Sequence, residues 1–463
     1  MPHDAALAER LSRPSPRYTS YPTAAHFHEG FGATAHRIAL QFSNDPLECG
    51  CPRPLSLYVH VPFCASLCHY CGCHAVAGAR PARAARYLDY LEREADLVAG
   101  LVADDRPVVQ FHIGGGTPTT LGAEGLERLG AYLRTRFSFA EDAECSLEAD
   151  PRTLTTEILE AARRAGFSRL SLGVQSFDPV VQRAIGRVQP YEDVARAVEA
   201  ARRAGFTGLS FDLIYGLPHQ TEATWRRTLD QALTLGPDRL SVFGYAHVPW
   251  MKKHQQLIDV AALPGPAERY AMLLAAGDAC AEVGYRSIGL DHFARPDDPL
   301  VRAFEEKTIQ RNFQGYSTHA GCDVIGLGVS SISSFERAYA QNEKGLRDYY
   351  AALDAGTLPT ARGVALSPED RRRRDAIERI MCDLALDIPA FERKYGLRFG
   401  KHFAQALGRL HALEAEGLVD VTSDRIAVTE RGRPFIRSVA AAFDAYLATE
   451  TTAPARPRYS QAV

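Results

Sequence analysis

Short apolar runs alternate with longer amphipathic stretches from Leu55 to about Tyr245. LSLYVHV (55–61), VVQFHIGG (108–115), ECSLEAD (144–150), RLSLGV (169–174), GLSFDLIYG (208–216) and RLSVFGY (239–245) are each followed by helix-like sequence. That repeat is the pattern of βα units on parallel strands. Six such units in fewer than two hundred residues predict an α/β barrel or part of one, whose sites gather at the C-terminal ends of its strands. The chemically unusual residues lie at those ends. Cys64 follows YVHV, Gly114 to Thr117 follow VVQFHI, Glu148 closes CSLE, Gln175 follows LSLGV, and Asp212 lies within LSFDLIYG.

The doublet RRAGF, at 163–167 and 202–206, marks two helix ends where glycine supplies a left-handed cap. Beyond the barrel, 286–300 and 312–333 are rich in glycine and polar residues and are expected to form loops over the barrel mouth. From Leu366 the texture turns helical, with Ser367 as N-cap and Pro368 at the first helical position. GLVDVTSDRIAVTERG (417–432) reads as a hairpin after helices, the outline of a winged helix, and Arg371 to Arg374 as a solvated helix face. The expected division is an N-terminal lid or substrate segment 1–54, a barrel 55–300, a barrel extension with active-site loops 301–365, a helical domain 366–450 and a tail 451–463.

Length and charge narrow the class. The 463-residue chain can hold a large core and an appended domain, and its net charge of −3 comes from interspersed signs. Nucleic-acid and membrane partners are therefore not expected; a small molecule is. No long apolar run and no secretory leader pattern occur, which predicts a soluble cytoplasmic protein. In that compartment the ten cysteines stay reduced. Cys145, Cys280, Cys322 and Cys382 sit among apolar neighbours as small core residues.

LYVHVPFCASLCHYCGCHAV (57–76) then stands out, with Cys64, Cys68 and Cys71 spaced x3 and x2 and Cys73 two residues on. Zinc would need further ligands, for which His69 and His74 are the candidates. An iron–sulfur cluster normally takes four thiolates, so three would leave one iron open to bind a substrate. The motif C-x-x-x-C-x-x-C on the loop after the first strand resembles the signature of radical S-adenosylmethionine enzymes. Together with RYTSYPTA (17–24), YVHVPFC (58–64), CHYCGCH (68–74), GGGTPT (114–119), DLIYGLP (212–218), HFARPDD (292–298) and NFQGYST (312–318), the chain resembles the oxygen-independent coproporphyrinogen III oxidases (dehydrogenases) of haem biosynthesis. The related haem chaperones generally lack the Cys-Gly-Cys ending and the Tyr-Thr-Ser-Tyr-Pro segment. A methyltransferase of the same clan and a haem-binding chaperone are the alternatives.

The resemblance implies a partial (β/α)6 barrel, a 4Fe–4S cluster on Cys64, Cys68 and Cys71, and two molecules of S-adenosylmethionine. Tyr58, Gly115, Glu148 and Ile332 would hold the first, with Tyr58 also near the chemistry. Tyr70, Gly116, Thr117, Gln175, Arg187, Asp212 and Ala246 would surround the second. The substrate would be coproporphyrinogen III, two of whose propionates become vinyl groups. A flavodoxin- or ferredoxin-like donor would supply electrons, an unidentified acceptor would take them, and the chain would act as a monomer. Cys73 is read as a radical or proton relay near substrate in preference to a mere shaper of the loop. The N–H groups of the glycine turn could contact the cofactor's polar end. Arg13, Arg17, Tyr18 and Tyr21 are candidate propionate donors on a lid, and His60 and His112 lie within the strands, His112 as a hydrogen-bonded core residue.

Overall fold

The computed structural model describes residues 5–45, 52–449 and 459–460. Six strands, β1 (Leu55–Val61), β2 (Val108–Gly115), β3 (Phe139–Ala149), β4 (Arg169–Gln175), β5 (Gly208–Tyr215) and β6 (Arg239–Gly244), lie side by side in chain order. Every neighbouring pair among them is parallel. Strand β1 shows why: six of its seven residues are buried, on both faces, as a parallel strand covered by helices requires. Its Leu57 stands level with Phe111 of β2. Helices follow most of the strands, with Pro81 opening Pro81–Ala99 and Thr155 capping Thr156–Arg164 by accepting from Ile158 N–H. Gly166 and Gly205 of the two RRAGF doublets take φ of +94° and +90°, the left-handed turn needed to re-enter the sheet.

The segments 286–300 and 312–333 are not merely loops. They supply β7 (Arg286–Ile288) and β8 (His292–Ala294), antiparallel beyond β6, and β9 (Asp323–Leu327), parallel to β1 on its free side. Beyond β9 run β10 (Ile332–Ser334), β11 (Ala338–Asn342) and β12 (Thr360–Ala365), completing a twelve-stranded sheet. Runs of three residues such as HFA are too short to display a period, and their glycines read as loop. One part of the expectation stands, since a hairpin of Gln310–Asn312 with Gly315–Ser317 lines the mouth.

After Ser367 caps the helix Pro368–Asp383, three short strands pair in the order 385–387, 425–428, 419–421 among helices, which is a winged-helix arrangement. Its core of Ile377, Ile380, Phe391, Phe399, Phe403 and Phe443 also takes in Tyr18 and Tyr21 from the N-terminal segment. The arginine run is not a solvated face. Arg374 reaches Glu336 at 3.2 Å and donates to the Phe335 and Glu336 carbonyls, while Arg373 pairs with Glu369 at 2.7 Å. Arg374 thus fastens the C-terminal helix to the sheet extension, while Arg373 pairs along its own helix and donates to Phe443 O at 2.8 Å. Apart from residues 459–460, the predicted tail 451–463 lies outside the described residues. Among those residues no helix is long and apolar enough to cross a membrane.

Candidate active site

Two cavities open at the C-terminal ends of β1 to β6. The first, of ≈380 Å³, is lined by Cys64, Cys68, Cys71 and Cys73 together with Gly115, Gly116 and Thr117. The second, of ≈500 Å³, runs into the barrel past Tyr58, His60, His112 and Ile332. They share Cys73, Gly115, Glu148, Ser171, Asp212 and Phe243, so they adjoin, with Cys73 on their common wall.

The cysteine loop is held mostly by its main chain. Cys71 N–H donates to Cys68 O at 3.2 Å, and His69 N–H to Ile185 O at 2.9 Å. From the segment after β6, Gln255 donates to Tyr70 O (2.8 Å), His254 to Cys71 O (2.7 Å) and Lys252 to Cys73 O (2.8 Å). The sulfurs receive donors of their own: Thr117 Oγ1 to Cys64 at 3.5 Å, Arg187 to Cys68 at 3.6 Å and Arg152 to Cys68 at 3.9 Å. A thiol bond from Cys73 brings Cys71 down to about 6, with the Lys252 and Arg187 charges adding to it against burial. Thiolates are what a metal requires.

Among the described residues no three His, Cys, Asp or Glu side chains converge on one point for a single metal ion. Neither His69 nor His74 lines the cysteine cavity, and His69 Nδ1 faces Ala184 O at 3.3 Å. Three thiols spread around one cavity, each with its own surroundings, suit a cluster whose irons take one thiolate apiece. The residues therefore fit a 4Fe–4S cluster.

The glycine turn is required by contact. A Cβ on Gly114 would stand 2.6 Å from the Glu148 carboxylate, one on Gly115 (φ +118°) 2.5 Å from the His60 ring, and one on Gly116 2.7 Å from Pro62 O. Its N–H groups are not free for a cofactor, contrary to expectation. Gly115 donates to Glu148 Oε2 (2.9 Å), Gly116 to Val61 O (2.8 Å) and Thr117 to Phe63 O (2.8 Å). The Glu148 carboxylate and the main chain at Val61 and Phe63 have claimed them, so the turn offers close approach rather than donors.

Glu148 and Asp212 face the same space in opposite states. Burial works to raise Glu148, but His112 Nε2 at 3.1 Å and the Gly115 N–H hold it below the usual carboxylate range. His112 is braced in turn by Ser146 at 2.6 Å. Burial and the Glu148 charge push Asp212 up to about 7. Glu148 is thus held toward its ionised form while its neighbour is held toward its protonated one. His60 donates from Nε2 to His74 O (2.9 Å), which leaves Nδ1 to accept from the Tyr58 hydroxyl at 3.0 Å. Burial lowers His60 to about 4, so it stays neutral.

Every residue singled out for a cofactor or for catalysis lines one of the two cavities. Arg187 is buried, with Nη2 on Gly173 O (2.7 Å), Nη1 on Asp150 (3.1 Å) and a buried Nε without a partner. Gln175 sits at φ +66° where β4 ends. Of the N-terminal candidates only Arg17 reaches the mouth, donating to Gly244 O at 2.8 Å. Tyr18 donates to Asp444 (3.0 Å), the Tyr21 hydroxyl accepts from Ala445 N–H (3.0 Å), and Arg13 is exposed. Sequence reasoning missed Asp150, Lys252, His254 and Gln255. A second acid in the strand-end stretch EADPR was the signal for Asp150; the others carry no motif.

Residues 58–232 match the radical SAM superfamily, and residues 366–435 the HemN C-terminal domain. The oxygen-independent coproporphyrinogen III oxidase of Bradyrhizobium diazoefficiens is 45% identical over 432 residues, 93% of this chain and 94% of that one. Its counterpart from Escherichia coli K12 is 44% identical over 444 residues, 96% and 95% of the two chains. The solved structure of the Escherichia coli radical SAM coproporphyrinogen III oxidase (HemN) superposes with a TM-score of 0.89, covering 96% of this chain and 99% of that one at 44% identity. With the thiol loop, the glycine turn and the strand-end carboxylates in one cavity, the chain belongs to the oxygen-independent coproporphyrinogen III oxidases of the radical SAM superfamily, which carry a 4Fe–4S cluster and use S-adenosylmethionine.

Proposed function

We propose that the chain converts coproporphyrinogen III to protoporphyrinogen IX by oxidative decarboxylation of two propionate side chains. The observation that carries the reading is the adjacency of the two cavities, which sets a thiol-lined chamber beside a larger one with Cys73 on the wall they share. When bound, cluster and S-adenosylmethionine supply a carbon radical able to take one hydrogen atom. For each propionate, a hydrogen atom leaves the β-carbon, the carboxylate departs as carbon dioxide, one electron passes to an acceptor, and a vinyl group remains.

The chain's residues position, polarise and exclude. Cys64, Cys68 and Cys71 hold the cluster, and Arg187 and Arg152 place donors on the Cys68 sulfur. Glu148, kept ionised by His112, accepts from paired ribose hydroxyls of a first S-adenosylmethionine, with Tyr58, Gly115 and Ile332 around it. A second molecule lies among Tyr70, Gly116, Thr117, Gln175, Arg187, Asp212 and Ala246. There the unpartnered Nε of Arg187 meets a carboxylate and Asp212 an ammonium group. Cys73, on the wall common to both cavities, would serve as the relay group for the reacting propionate. A monomer in the reducing cytoplasm, served by a flavodoxin- or ferredoxin-like donor, completes the reading; its thiols need that compartment.

Anaerobic incubation with coproporphyrinogen III, S-adenosylmethionine and a reductant tests it. Protoporphyrinogen IX with two vinyl groups is the expected product. A methylated porphyrin would instead make the chain a methyltransferase, and haem binding without decarboxylation would make it a chaperone.

A further inference from the structure

Beside the mouth lies a narrow hollow of ≈20 Å³ lined by Arg17, Arg269, Arg437 and Asp291. Arg17 belongs to both walls, since it also lines the cysteine cavity. Asp291 is the one carboxylate among the described lining residues, and it is taken: Arg311 grips it at 3.1 and 3.2 Å, and His292 Nδ1 lies 2.8 Å from it. Arg17 and Arg269 have main-chain carbonyl partners, Gly244 O at 2.8 Å and Tyr245 O at 3.0 Å, and no ion pair. Arg269 Nε is buried without any hydrogen bond.

Guanidinium groups do not give up their charge in proteins. Two of them, half-buried on one narrow space with no ion pair of their own, carry a desolvation penalty that a neutral water does little to offset. Burial pushes both groups down from their ordinary values, against the pull of the Asp291 charge on Arg17 and of Tyr215 on Arg269. The space is about that of one water-sized body. A halide or the end of one carboxylate fits it; a phosphate does not.

We propose that this hollow is a binding site for a single compact monoanion, a halide or a carboxylate, held between Arg17 and Arg269. Occupied, it neutralises the charge that residue 17 brings and fastens the N-terminal segment at the rim of the mouth. The carboxylate could come from the solvent or from a substrate propionate, the latter resting on the proposed porphyrinogen reaction.

Crystals of the full-length protein exchanged into sodium bromide, measured for bromine anomalous scattering, test the site directly. A peak in the hollow is expected, together with a saturable rise of about 3 °C in thermal midpoint in bromide over methanesulfonate, whose tetrahedral head the hollow excludes as it does a phosphate, at equal ionic strength. Arg269→Gln should abolish both, with Arg17→Gln as the second variant where the first does not fold. Absence of the peak, a peak left at full height by the variants, or equal midpoints in the two salts would each overturn the proposal. Coproporphyrin III added to bromide-loaded protein then identifies the source: displacement of bromide makes the substrate carboxylate the occupant, and persistence beside bound porphyrin makes it a free ion. Failure of the porphyrin to bind leaves the bromide result standing and counts against the reaction alone.

Discussion

Arg187 Nη1 donates to Cys68 Sγ across 3.6 Å. A cationic donor on a ligating sulfur stabilises the electron-rich cluster, raising its potential. A hydrogen bond from a charged group contributes about 1.5 kcal/mol, equivalent to about 60 mV for a one-electron couple. Arg187→Met is therefore expected to lower the cluster potential by roughly that amount, as read by a redox titration followed by electron paramagnetic resonance. An unchanged potential would show that the contact does not persist once iron is bound.

The four clustered thiols should separate in a single set of preparations. Cys64→Ser, Cys68→Ser and Cys71→Ser are expected to lose the cluster, whereas Cys73→Ser keeps its iron and loses most product formation. Iron content and protoporphyrinogen yield are measured together. Iron loss in Cys73→Ser would make that residue a ligand, and full yield would make it a bystander.

Asp212 gives the protein a pH dependence with a definite sign. Folded, it keeps its proton up to about 7; its ordinary value is 3.8. Between those values the folded state binds the extra proton, so this contribution to stability is present below about pH 4 and is lost as pH rises to about 7. Asp212→Asn should remove that slope and raise the stability of cofactor-free protein at pH 8 by on the order of 1 kcal/mol, after allowing for solvent in the cavity. Cationic S-adenosylmethionine favours the ionised carboxylate, so its binding near pH 7 should release protons. Calorimetry in buffers of different ionisation enthalpy detects that release, which the variant should lack.

Removing residues 1–24 takes Tyr18 and Tyr21 out of the C-terminal core, along with the Tyr18–Asp444 hydrogen bond. Loss of buried aromatic side chains costs about 3–5 kcal/mol each. The truncated protein is thus expected to melt well below the full chain, and a midpoint within a few degrees of it would show that the segment is only a cover. A clean test of substrate contact at this segment needs the point substitution Arg17→Gln.

What could be read from the sequence was local. Buried runs such as LSLYVHV announce parallel strands because both faces are apolar, and the spacing of Cys64, Cys68 and Cys71 carries its chemistry within eight residues. Glu148 was legible as an acid closing an apolar strand. What was hidden depends on contacts across long separations. Lys252, His254 and Gln255 meet the thiol loop from nearly two hundred residues away, and nothing in MKKHQQ suggests it. Tyr18 and Tyr21 look like ligand donors because their destination, a core more than three hundred residues downstream, leaves no trace in RYTSYPT. The glycine N–H groups looked available because only the structure shows the Glu148 carboxylate and the Val61 carbonyl beside them.

The hold on the thiol loop by Gln255, His254 and Lys252 closes on main-chain oxygens at positions 70, 71 and 73. A carbonyl is the same whatever side chain its residue bears, so these three contacts do not depend on side-chain identity within the loop. The constraint on inheritance is thereby spread: beside the His69 contact to Ala184 O and the packing of Tyr70, part of the burden of keeping the loop's shape falls on three unremarked residues after β6.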